Sequence, residues 1–311
     1  SKFGDDMDRV LKRKDGRLTY IASDVAYHKD KFNRPEEAGK LITVLGPDHH
    51  GYIARLEAVV AALLEESSSA TTDDFDDNDA KIWTDSSQKQ DCLNALAEAR
   101  EKLTVQIFQL VRFVKDGKPA PMRKRDGNIY ALIDLIKEIG EMTQPNGSES
   151  EKLQSGSDVA RFFYLMRNHD TTFDFDLDLA QKQSDENPVF YVQYAHARIC
   201  SIIEKAKSEG MSVDGDANFD LLTHPKEKAL ILMLQDLGNE VKRASEDYGV
   251  NRLATFAIEL ARTYHAFYTD CRVIQADEPE LSKARLALCN ATRHSLKGAF
   301  NLLGISAPER M

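Results

Sequence analysis

A chain of 311 residues, 42% hydrophobic and 30% charged, has room for a sizeable core and for more than one domain. Its formal net charge of −10 argues against a protein that grips nucleic acid by bulk positive charge, and leaves recognition through local basic patches open. No apolar run approaches a membrane span, the charged start Ser1-Lys2-Phe3-Gly4-Asp5-Asp6 is no signal peptide, and Cys92, Cys200, Cys271 and Cys289 lack metal or redox spacing, so reduced thiols in a cytoplasmic protein are expected.

The first third alternates strand-like and helix-like pieces. Residues 17–21 (Arg-Leu-Thr-Tyr-Ile) suit a strand and 22–32 a helix; 41–45 (Leu-Ile-Thr-Val-Leu) suit a buried strand and 51–64 a second helix. A short apolar strand, a turn and a helix make the unit of an open parallel sheet, whose ligands lie at the carboxyl ends of the strands. Gly46-Pro47-Asp48-His49-His50-Gly51 occupies such an end, where a nucleotide ribose or phosphate is a better ligand than a metal, since adjacent histidines cannot share one ion. Tyr20 and Asp24 can converge where the first strand meets its helix. A carboxylate beside a phenol seats a cation such as a guanidinium, although Ser23 or Asp24 can equally serve only as a helix cap.

Residues 65–91 carry a serine run and the acidic run Asp73-Asp74-Phe75-Asp76-Asp77-Asn78-Asp79, a composition that buries little surface and reads as a flexible insertion. Beyond it, 93–103 read as helix and 104–115 as an apolar strand running into a turn. Residues 115–128 form a loop with glycines at both ends, two prolines and the cations Lys118, Arg123, Lys124 and Arg125. Such a loop can neutralise charge on a transferring phosphoryl or adenylyl group, or be a solvated basic turn. Residues 144–157, rich in Ser, Gly and Glu, read as a connecting loop.

The remainder is helical. Asn187 is a good N-cap and Pro188 suits the first helical position, so a helix starts there, followed by helices over 221–244, 250–271 and 281–303, joined loosely at 208–217 and 275–280. On the first of these, Tyr191, Tyr194 and Arg198 stand at i, i+3 and i+7 along one stripe. The stripe suits stacking of unpaired bases; it suits equally two half-buried core rings beside a surface arginine. No Walker loop, Gly-x-Gly-x-x-Gly, nucleophile elbow or His-Glu-x-x-His is present.

Taken together, several segments resemble arginyl-tRNA synthetases: Asp5-Asp6-Met7-Asp8-Arg9-Val10-Leu11 ahead of Lys14-Asp15-Gly16, residues 23–32, Gly46 to Tyr52, Met122-Arg123-Lys124-Arg125-Asp126-Gly127-Asn128, residues 174–180 leading into 187–198, and Ala307-Pro308-Glu309-Arg310-Met311. They run in family order over nearly the whole chain outside the acidic insertion. The resemblance implies an α/β fold followed by an all-α one: the C-terminal part of a class I Rossmann-type catalytic domain over 1–143, a connecting segment over 144–186 and a helical anticodon-binding bundle over 187–311.

It also implies an arginine–tRNA ligase that uses ATP with Mg2+ to activate arginine and passes it to tRNA-Arg, with no tightly bound protein metal, no membrane partner and a monomeric state. Tyr20, Asp24 and Asp48 fall at the arginine pocket; Gly46, His49, Met122 and Lys124 fall at ATP; Tyr191, Tyr194, Arg198, Tyr268 and Met311 fall where the anticodon loop is gripped. The chain departs from the family in two places. Arg123 replaces the serine of the Met-Ser-Lys-Arg signature loop, and no His-x-Gly-His segment is present, so the chain is expected to begin midway through the catalytic domain and to be catalytically deficient alone. The alternative is a non-catalytic tRNA-binding module derived from such an enzyme.

Overall fold

Contacts within the chain divide it into two units, Ser1–Leu110 and Val111–Met311. The computed structural model describes residues 3, 5, 7–34, 39–68, 86–120, 130–212 and 217–311.

In the first unit, helix α1 (Tyr20–Phe32) is followed by strand β1 (Leu41–Leu45), a 3-10 turn (Pro47–Tyr52), helices α2 (Ile53–Ser68) and α3 (Ser86–Lys102) and strand β2 (Leu103–Ile107). The two strands pair in parallel, Leu41 opposite Leu103 and Leu45 opposite Ile107. Alternation along β1 turns Leu41 into a core shared with Leu56, Val60, Ala61, Ala95, Ala99 and Leu103, while Ile42 and Val44 face outward. Pro47, at the first position of the 3-10 turn, carries the chain from strand end to α2.

The strand expected at 17–21 is absent. Leu18 makes one antiparallel bridge to Lys12, and the helix begins at Tyr20. Among the described residues the β-favouring Leu-Thr-Tyr-Ile run finds no strand partner beyond that bridge, and Thr19 turns its hydroxyl to the carbonyls of Val10 and Leu11 at 2.7 and 3.2 Å. Of the insertion expected at 65–91, the ends lie in α2 and α3; 69–85 are outside the described residues.

In the second unit, β3 (Val111–Lys115), β4 (Lys118–Pro119) and β5 (Phe173–Asp176) form a sheet in the order β4-β3-β5, with β3 and β5 parallel. Asp116 and Gly117, both at positive φ (51° and 68°), make the tight turn between β3 and β4. The single strand expected over 104–115 is therefore two strands in different sheets: β2 pairs with β1, and β3 with β5.

Helices α4 (Leu132–Thr143) and α5 (Glu149–Leu165) form a close antiparallel pair. The loop expected over 144–157 is thus mostly helix. Ser148 and Glu151 exchange a capping box, Ser148 N–H donating to Glu151 at 2.7 Å and Glu151 N–H to Ser148 Oγ at 3.3 Å. Gly156 lies inside the helix because a Cβ there would stand 1.9 Å from the Ile136 carbonyl oxygen; at Gly140 one would stand 2.1 Å from that of Lys152. Glycine at the crossing lets the two backbones touch.

After the short α6 (Leu177–Ala180) come the long helices α7 (Pro188–Ser208), α8 (Pro225–Asp247), α9 (Asn251–Asp270) and α10 (Pro279–Leu303). Their interior holds Ile199, Leu230, Leu260, Tyr264, Phe267, Leu296 and Phe300, and the same core continues to Phe113, Phe162, Phe163 and Phe175 beneath the sheet. Glu227, 1% exposed, bonds to the His224 N–H at 2.8 Å as α8 begins and accepts from Arg285 of α10 at 2.7 Å. Cys92, Cys200, Cys271 and Cys289 are all buried free thiols, and burial pushes Cys289 up to about 12.

Candidate functional site

Helix α7 buries most of its circumference, and the stripe of Tyr191, Tyr194 and Arg198 is left half-buried between core and solvent. Asn187 fixes how the helix starts. Its side-chain oxygen accepts from Val189 N–H at 3.1 Å, and its amide nitrogen donates to the carbonyls of Ala180 and Lys182 at 3.2 and 2.9 Å.

From α9, Tyr264, His265 and Tyr268 meet the stripe. The His265 ring lies 5.1 Å from Tyr191 and 6.2 Å from Tyr194, almost parallel to the latter at 19°. The Arg198 guanidinium sits 4.4 Å from the centre of the Tyr268 ring and 5.8 Å from that of Tyr194, and donates to the Tyr194 hydroxyl at 3.2 Å. Phe190 lies parallel to Tyr194 at 6.3 Å. Burial and then the nearby Arg198 charge hold His265 below its ordinary 6.5, so the ring is neutral at pH 7, and its Nε2 has no partner among the described residues. Burial likewise raises the Tyr191 phenol, keeping it protonated. The result is a row of aromatic rings carrying the Arg198 guanidinium, chemistry that accepts base faces and phosphate oxygens.

Met311, 53% exposed, borders a cavity of about 570 Å³ with Phe190 and Gln193. The structure thus brings Tyr191, Tyr194, Arg198 and Tyr268 together, with Met311 on the cavity that Phe190 also lines. His265 and Phe190 were missed by the sequence reading. His265 leaves a signal only as a polar residue inside the periodic apolar run of α9, and Phe190 one as the aromatic at i−4 from Tyr194.

In the first unit, Asp24 accepts a hydrogen bond from the Tyr52 hydroxyl. Partial burial, and then that carboxylate, push the Tyr52 phenol up to about 12, so it remains a donor. His49 packs edge-on to Tyr52 at 6.1 Å, and the Arg55 guanidinium stands 5.6 Å from the centre of the same ring. Asp24 and His49 are thereby joined through Tyr52. Gly46 opens the 3-10 turn, its carbonyl accepting from His49 N–H at 3.1 Å, and Asp48 is exposed on that turn. Tyr20 lies one helical turn before Asp24 and is 92% exposed, directed to solvent rather than onto the carboxylate. Tyr52 and Arg55 were also missed, although His49, Tyr52 and Arg55 recur at three-residue intervals, the spacing of one face of a 3-10 turn running into a helix. Met122 and Lys124 lie outside the described residues.

An α/β unit with a polar cluster after its strand, and a helical unit with an aromatic and cationic surface, define a class. Residues 192–311 match the model of the DALR anticodon binding domain. Over its whole length the chain is related to arginyl-tRNA synthetases, matching their C-terminal part. It is 40% identical to the arginine–tRNA ligase of Symbiobacterium thermophilum over 311 residues, covering 99% of this chain and 46% of that protein. It is 39% identical to that of Moorella thermoacetica over 313 residues, covering 100% of this chain and 47% of the relative. The fold matches the Thermus thermophilus arginyl-tRNA synthetase with a TM-score of 0.70 at 23% identity, over 97% of this chain and 51% of that one. The chain spans about half the length of the curated relatives it matches.

Proposed function

We propose that this chain carries the tRNA-reading portion and part of the active site of an arginine–tRNA ligase, which activates arginine with ATP and Mg2+ and transfers it to tRNA-Arg. In this reading 187–311 form the anticodon-binding domain, 144–186 the connection and 1–143 the C-terminal part of the catalytic domain. The observation that carries it is Tyr194 and Tyr268 around Arg198, with Tyr191 beside them against His265, held on helices of a matched anticodon-binding domain.

The tyrosines stack bases of the anticodon loop, Arg198 takes a phosphate or base edge, and Met311 closes one side. In the first unit, Asp24 has a second carboxylate oxygen available to a guanidinium beyond the one taken by Tyr52. Asp48 completes the arginine pocket, which Tyr20 reaches only by turning in from solvent, and Gly46 and His49, with Met122 and Lys124, serve ATP. A ligase of this type needs no covalent protein nucleophile, since positioning of the carboxylate and α-phosphate and charge stabilisation do the work.

The test is equilibrium binding of labelled tRNA-Arg. Loss of a stacked base costs roughly 1–3 kcal/mol, so Tyr194→Ala with Arg198→Ala is expected to weaken binding by at least about tenfold. Lys124→Ala and Asp24→Ala are expected to leave it within about twofold, a difference on the order of 0.4 kcal/mol. Unchanged binding by the Tyr194/Arg198 pair returns the stripe to core packing and ends the reading.

A further inference from the structure

Helix α10 ends at Gly304, whose φ of +66° and two closing bonds, Gly304 N–H to Asn301 at 3.1 Å and Ile305 N–H to Phe300 at 3.0 Å, turn the chain back over the bundle. That turn delivers Ser306 to the carboxylate of Asp158, on α5 and 2% exposed. Ser306 N–H donates to Asp158 Oδ1 at 3.1 Å and its hydroxyl donates to Oδ2. Gln193 of α7 donates to the same Oδ2 at 3.0 Å and to the Ser306 carbonyl at 3.1 Å, and Gln154 donates to Oδ1 at 2.8 Å. Two residues on, the Pro308 carbonyl meets His196 Nδ1 at 2.9 Å; burial keeps that imidazole below its ordinary 6.5, so Nδ1–H is the donor.

A buried carboxylate is costly unless every lone pair is used, and an apolar contact of the same volume would bury the tail as well. What the carboxylate adds is geometry. It ties α5, α7 and the C-terminal segment to one set of positions, with two of its four donors on the segment itself. Met311 of this segment lies on the wall of the cavity that Phe190 lines, and Phe190 lies parallel to Tyr194.

We propose that Asp158 is a positioning residue of the tRNA-reading surface, holding residues 305–311, with Gln193 as its bridge, so that Met311 stands as a fixed wall beside the α7 stripe. The inference rests on the reading of that stripe given above. It assigns no contact between Asp158 and RNA.

Binding of labelled tRNA-Arg to the full chain tests it, with thermal melting of every variant alongside. Asp158→Asn and Ser306→Ala, the second chosen as the milder change, are each expected to weaken binding about three- to tenfold. Removal of Met311 is expected to do the same with the melting temperature unchanged. Asp158→Asn combined with removal of Met311 is expected to bind no more weakly than the Met311 deletion alone, within about twofold, because the two act through one wall. Independent, multiplying losses overturn the proposal, as does wild-type binding by both Asp158→Asn and Ser306→Ala while Tyr194→Ala with Arg198→Ala loses it. Wild-type binding by the Tyr194/Arg198 pair sinks the underlying reading and the clamp with it.

Discussion

Asn187 is 1% exposed and uses both ends of its amide, one to cap α7 and the other to satisfy two carbonyls of the preceding turn. Asn187→Ala removes all three bonds. The lost cap costs about 1 kcal/mol. The buried Ala180 carbonyl and the part-buried Lys182 carbonyl each lose a donor at about 1 kcal/mol more. The sum, about 3 kcal/mol, lowers the melting temperature of a unit of this size by roughly 6–12 °C. Asn187→Asp separates the two roles. Aspartate caps a helix as well as asparagine does, but its carboxylate has no hydrogen to give the Ala180 and Lys182 carbonyls and sets a negative charge against them. The expected order is therefore wild type, then Asn187→Ala, with Asn187→Asp no better than the alanine. Melts followed by far-UV circular dichroism, and hydrogen exchange of the first turn of α7, measure it. If Asn187→Asp melts within a degree or two of wild type, the amide donors are irrelevant and the cap alone fixes the helix start.

Two glycine substitutions should move stability in opposite directions. Gly156→Ala drives a Cβ to 1.9 Å from the Ile136 carbonyl oxygen, so α4 and α5 must part, and a loss of at least about 2 kcal/mol is expected in urea melts. Gly238→Ala, in the exposed middle of α8 with nothing within 4 Å of the added Cβ, should gain about 0.5–1 kcal/mol; a loss there would show that the helix needs glycine for a reason other than space. The buried histidines set a pH dependence. His196 and His265 are both held below the ordinary 6.5 by burial, so below about that pH the unfolded chain binds more protons than the folded one. Their contribution to stability is complete above 6.5 and falls as the pH drops below it. Urea midpoints at pH 7.5 and 5.5 test this, and His196→Gln should flatten the slope; a wild-type midpoint that does not move between the two refutes it.

The elements legible in the sequence were those whose local signals agree with their tertiary setting. Strand β1, the turn at Gly46, α2, and the four helices α7–α10 all carry a clean apolar pattern, and prolines open α7, α8 and α10. Two of the corrections are cases where partners decided the outcome. Residues 17–21 have strand propensity and, among the described residues, no sheet to join, and 104–115 read as one apolar strand though they serve two sheets. At α5 the loop-like composition of 144–157 hid a Ser-x-x-Glu capping box, and the glycine that reads as a breaker is there for close packing against α4. In the site, residue type and spacing revealed Tyr191, Tyr194 and Arg198 because one helix carries them. Tyr52 and His265 act across elements, reaching Asp24 on α1 and the rings of α7, and no spacing along the chain encodes such a meeting.

The tyrosine stripe admitted two accounts from the sequence, core packing or a platform for bases, and the geometry shows why they need not compete. Tyr191 and Tyr194 lean on the half-buried His265 and Tyr268 on the buried Tyr264, and each keeps part of its surface open. Immobilising a free side chain on binding costs roughly 0.5–1.5 kcal/mol, a large share of what one stacked base returns. Rings already fixed by the core avoid that cost, and Arg198, seated over Tyr268 and bonded to Tyr194, is ordered by the same contacts. In the proposed reading, half-burial is therefore the condition under which such a stripe recognises an unpaired RNA loop strongly on a chain whose net charge of −10 offers no general attraction for one.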